Sequence, residues 1–166
     1  MMRRFQLSHV IVLALLLAAA CGQSRAPAWV EEDAFLIVVE NDLYGDVEQS
    51  LATYVEGLER QGVEVFVEPF MVPGNFPELR ALVFRFFDEE KIDGVLLIGN
   101  LPAAFYEQTA FDEPEEFPTD IILQDRDAVW TDADSNGVFD AHTPLNLDFY
   151  VSRLDGTAEE LRDYFD

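Results

Sequence analysis

Phe35-Leu36-Ile37-Val38-Val39 is a continuous apolar run rich in β-branched residues. Such a run fits a strand buried on both faces, as strands of parallel sheets are. Downstream, Val47, Leu51, Tyr54, Val55 and Leu58 recur at helical spacing. Asp46 is placed to cap this helix, with Gln49 at the capping-box position and Gly62 beyond its end. Val63-Glu64-Val65-Phe66-Val67 alternates as a second strand does. Leu79, Leu82, Val83, Phe86 and Phe87 mark a second helix, opened by Asn75, Pro77 and Glu78. Its aromatic stripe reads as core. Val95-Leu96-Leu97-Ile98 is continuous again and ends at Gly99. The order β-α-β-α-β predicts an α/β fold of three layers, a mostly parallel sheet between flanking helices. Asn146 to Leu154, with Leu147, Phe149 and Val151 in alternation, is expected to add a fourth strand. Thr157 and Glu160 then open a last helix carrying Leu161, Tyr164 and Phe165. Leu101 to Asp120 has three prolines and the acids Asp112, Glu113, Glu115 and Glu116, and is expected to be a solvated surface loop.

The chain has 166 residues, 33 acidic and 10 basic, a formal charge of −23 and 49 % hydrophobic residues. That is enough apolar material for a packed core. The charge excludes a generic nucleic-acid binder, which needs Lys and Arg to neutralise phosphates. After the first strand stands Glu40-Asn41-Asp42-Leu43-Tyr44-Gly45 rather than a glycine-rich phosphate loop, which argues against a dinucleotide cofactor.

At the N-terminus, Arg3 and Arg4 precede an apolar run from Val10 to Ala20. The run is shorter than the ~20 residues a membrane span needs and has the length of a signal-peptide core. Ala18-Ala19-Ala20-Cys21-Gly22 is similar to a lipoprotein cleavage box. The expected arrangement is a signal peptide over 1–20, lipidation at Cys21, a tether over 21–33 and the α/β domain over 34–166. A plain secretory peptide is the alternative. Gly22, rather than Asp, after the cysteine favours an exported cell-envelope protein of the outer membrane, held to the membrane by its lipid. Cys21 is the only cysteine, which excludes an internal disulfide.

The most chemically specific stretch is Asp132-Ala133-Asp134-Ser135-Asn136-Gly137-Val138-Phe139-Asp140. Oxygen side chains stand at loop positions 1, 3, 5 and 9 and glycine at 6, the first three-quarters of the EF-hand ligand code. Asp132, Asp134, Asn136 and Asp140, with the Val138 carbonyl, are the expected ligands of one Ca2+. Position 12 is Thr143 rather than Glu, so Asp120, Asp125 or Asp127 are candidates for the missing oxygens. An Asx-rich turn that holds no ion is the alternative.

Three further segments stand in a recognisable order around this loop. They are Val95-Leu96-Leu97-Ile98-Gly99-Asn100-Leu101-Pro102, Pro118-Thr119-Asp120 and Asp148-Phe149-Tyr150-Val151-Ser152-Arg153-Leu154. Together, over about residues 35–166, they resemble the N-terminal part of gingipain-type cysteine peptidases. The resemblance implies a caspase-like or flavodoxin-like half-domain, incomplete at Asp166, with the family's catalytic His and Cys further downstream. This chain has only His9, His142 and Cys21, from which no dyad can be built, so no catalytic residue is assigned. Arg153 is expected to neutralise an acid of this chain rather than clamp a substrate. Two functions follow. One is an exported lipoprotein carrying the non-catalytic N-terminal portion of such a peptidase, whose partners are a downstream catalytic half or protein substrates. The other is a calcium-stabilised, non-enzymatic surface binding lipoprotein.

Overall fold

The computed structural model describes residues 33–166. The predicted signal peptide, Cys21 and all of the tether but Asp33 lie outside the described residues. Four parallel strands form the central sheet: β1 (Ala34–Glu40), β2 (Glu64–Phe70), β3 (Gly94–Ile98) and β8 (Tyr150–Leu154), in the order β2-β1-β3-β8. The alternation of a pleated strand divides its side chains between two cores. Leu36, Val38, Val95 and Leu97 pack with Leu79, Val83 and Phe86 of helix α2 (Phe76–Glu90). Ile37, Val39, Leu96 and Ile98 pack on the other face with Val47 and Leu51 of α1 (Asn41–Glu59), and with Leu161 and Phe165 of α3 (Ala158–Phe165). The predicted three-layer α/β architecture is therefore present, with β1 and β3 buried on both faces.

Helices α2 and α3 begin as their sequences predict. Asn75 with Glu78, and Thr157 with Glu160, each form a reciprocal capping box. Helix α1 differs. It starts at Asn41, directly after β1, and neither Asp46 nor Gln49 caps it. Leu43 and Tyr44 pack against the α1–α3 core, which draws residues 41–45 into the first turns. Glu40, at the N-cap position, makes no side-chain cap; its Oε2 instead accepts the Asn100 N–H at 2.9 Å.

The expected surface loop over Leu101 to Asp120 is instead an antiparallel hairpin, β4 (Ala104–Ala110) and β5 (Glu113–Thr119). Glu107 stands opposite Glu116, and β5 carries Pro114 and Pro118, so the residues themselves speak against a strand. The Tyr106 and Phe117 rings, 5.9 Å apart across the pair, favour it. Chain segments 121–149 are mostly irregular, with a 3-10 turn (Ile121–Leu123) and two short paired strands, β6 (Trp130–Thr131) and β7 (Ala141–His142). The fourth sheet strand begins at Tyr150 rather than Asn146 because the preceding residues are tied elsewhere. Asn146 N–H donates to Asp125, Asp148 N–H donates to the Gln124 carbonyl, and Phe149 is buried against Phe84 and Phe87.

Candidate metal centre

The acidic loop Asp132–Asp140 links β6 and β7, so both of its ends are held by one short ladder. Two residues in it, Ser135 (φ 61°) and Gly137 (φ 94°), adopt the left-handed backbone that turns it sharply. An added Cβ at Gly137 would meet no atom within 4 Å, so a larger residue there is opposed by backbone strain rather than by a clash. Asp132 closes the turn: its two oxygens accept the N–H groups of Asn136 and Gly137, at 3.1 and 2.9 Å. Asn136 Oδ1 accepts Val138 N–H at 2.7 Å, and Asp140 Oδ2 accepts Ala133 N–H at 2.9 Å. Each ionised carboxylate still has unused lone pairs.

The residue that sequence spacing did not reveal is Glu107. Strand β4 runs beside the end of the loop: Phe139 N–H donates to Phe105 carbonyl at 2.9 Å, and Glu107 N–H to Phe139 carbonyl at 2.8 Å. This register brings Glu107 to the loop, where carboxylate oxygens of Glu107, Asp134 and Asp140 lie within 4.8 Å of one another. Asn136 Nδ2 donates to Glu107 and to Asp134, at 3.3 Å in each case. Three carboxylates gathered so closely repel unless a cation lies between them, and hard oxygen ligands select a hard cation. Of the five predicted ligands, the structure gathers Asp134 and Asp140 with Glu107, while Asp132 and Asn136 build the turn beside them. Nothing in the structure assigns a role to the Val138 carbonyl.

The three acids offered as completing ligands are placed otherwise. Asp120 receives a two-pronged bond from Arg153, Nε to Oδ2 at 3.0 Å and Nη2 to Oδ1 at 2.8 Å. Arg153 is thus the internal ion pair expected of it. Asp125 is buried and accepts the N–H groups of Asp127, Ala128 and Asn146. Those bonds, Asn146's first, hold its carboxyl below the ordinary range against the opposing effect of burial, and Arg80 adds to the lowering. Asp127 is exposed on the same turn and belongs to no acidic cluster among the described residues. Thr143, at loop position 12, pairs with Val129 through both its N–H and its Oγ1.

His142 stacks on Trp130, centroids 4.7 Å apart, and its Nδ1 lies 2.8 Å from the Thr143 carbonyl. At the ends of β1 and β3, where open α/β sheets gather ligands, the Glu40 side chain lies against Gly99; a Cβ there would come within 2.8 Å of its Oε2. Among the described residues no helix is long and apolar enough to cross a membrane. No family model, no curated protein and no solved structure matches this chain.

Proposed function

We propose that this chain is an exported lipoprotein, held to the outer membrane through Cys21, whose α/β domain corresponds to the non-catalytic N-terminal portion of a gingipain-like cysteine peptidase and is stabilised by one Ca2+. The observation that carries the proposal is the convergence of Glu107, Asp134 and Asp140 beside a D-x-D-x-N-G-x-x-D turn. The ion would join the β4–β5 hairpin to the β6–β7 region, adding to the hydrogen bonds at Phe139 and the packing of Tyr106 on Trp130 and His142. The role is structural: with only His9, His142 and Cys21 available, the chain has no His–Cys pair from which to draw a thiolate nucleophile.

Thermal unfolding tests the calcium site. At about 100 times its dissociation constant, Ca2+ adds about 2.7 kcal/mol to stability. The midpoint is expected to rise in Ca2+ over chelator at matched ionic strength, and to stop responding in Glu107→Gln and Asp134→Ala. An unchanged midpoint in the natural chain, or an equal rise in both variants, overturns the site.

A further inference from the structure

Helix α2, the 3-10 turn and the β6–β7 region enclose an open cleft of about 340 Å3, at the small end of ligand-site volumes. Phe76, Phe84, Trp130 and Phe139 supply aromatic walls, and Arg80 supplies a charge. Arg80 is half-buried, its guanidinium carbon 4.4 Å from the Phe84 ring centre, and its Nε donates to the Ile122 carbonyl at 3.5 Å. Among the described residues, Arg85, Arg126 and Arg153 each pair with a carboxylate, while Arg60, Arg80 and Arg162 make no salt bridge; Arg60 and Arg162 are exposed, whereas Arg80 is half-buried. Asp125, whose oxygens accept three backbone N–H groups, makes no salt bridge with Arg80 and acts on it only through space. Burial, and then the neighbouring Arg126, lower the Arg80 pKa, so an anion at the cleft relieves the guanidinium. The Trp130 ring lines the same cleft; its Nε1 is fully buried without a hydrogen-bond partner among the described residues.

We propose that this cleft binds a small aromatic monocarboxylate, its ring between the aromatic walls, Trp130 among them, and its carboxylate on Arg80. A single anionic group suits the site, because the chain's charge of −23 repels polyanions. Charge-assisted bonds to a guanidinium, in a wall of low polarity, distinguish an acid from its neutral isostere.

The test uses the whole 15N-labelled chain, whose two indole N–H signals are separated by a Trp29→Phe variant. 2-Naphthoate and 2-naphthamide are titrated in turn. The naphthoate is expected to move the Trp130 indole signal saturably and to bind about tenfold tighter than the amide. Arg80→Gln is expected to erase that difference, while Arg85→Gln, on the exposed side of α2, preserves it. Ala81→Phe, an exposed position at the cleft, keeps the test decisive if Arg80→Gln does not fold; it is expected to abolish the shift. No saturable shift, equal affinity for acid and amide, or naphthoate binding untouched in a folded Arg80→Gln or Ala81→Phe chain, each overturns the proposal.

Discussion

Arg153 joins three separate pieces of chain. Besides its two-pronged bond to Asp120, its Nη1 donates to the Leu101 carbonyl at 2.8 Å and its Nη2 to the Pro102 carbonyl at 3.2 Å. A planar fork makes these bonds together, and an ammonium on a flexible stem does not. Arg153→Lys is therefore expected to keep the charge and still lower stability by about 1–3 kcal/mol, read from urea unfolding. Asp125 acts by accepting hydrogen bonds. Its folded pKa lies below the ordinary value of 3.8, so its contribution is present above that value and is lost as the pH falls through the folded one. Asp125→Asn is expected to be less stable than the natural chain by a constant amount above about pH 5, and by a shrinking amount below about pH 4. Urea midpoints across that range check it; a deficit that stays constant down to low pH would contradict the titration.

At the scale of elements, the β4–β5 hairpin is held against its own turn chemistry. Its two turn residues, Phe111 (φ 53°) and Asp112 (φ 66°), both lie in the left-handed region, where Asn-Gly is the favoured pair. Phe111 is 99 % exposed and gains no burial in exchange. The double substitution Phe111→Asn with Asp112→Gly is expected to stabilise the hairpin by about 1–2 kcal/mol, seen as slower amide exchange across β4 and β5. This hairpin also explains why the acidic site was only partly legible. The D-x-D-x-N-G-x-x-D spacing marks Asp134 and Asp140, because ligands within one turn are local in sequence. Glu107 belongs to β4, whose partner strand β5 is disguised by its glutamates and prolines, and no local pattern connects Glu107 to the loop. Similarly, the caps of α2 and α3 are local side-chain bonds and could be read directly, whereas the start of α1 depends on where Leu43 and Tyr44 find a core.

For the whole molecule, electrostatic self-repulsion adds to the conformational entropy that opposes the packed core. A charge of −23 on a folded surface opposes compaction, and salt screens it over a Debye length of about 8 Å at physiological ionic strength. Stability is expected to rise with NaCl in chelator, approaching a plateau by about 1 M. Added Ca2+ should raise it further at constant ionic strength, because a bound ion is a ligand and not a screen. Thermal midpoints over a salt series separate the two effects.

The sequence by itself determined the layered α/β architecture, the two doubly buried strands, two of three helix starts and the turn of the acidic loop. Each of these depends on residues near one another in the chain, through side-chain period, capping and glycine conformation. Only the tertiary structure decided that residues 104–119 form a hairpin, that Glu107 stands beside Asp134 and Asp140, and that Asp120 is held by Arg153. The contact of Glu40 with Gly99 and Asn100 is of the same kind. These are pairings across long stretches of chain, set by sheet register and by which faces the two cores bury, and local pattern carries no record of them.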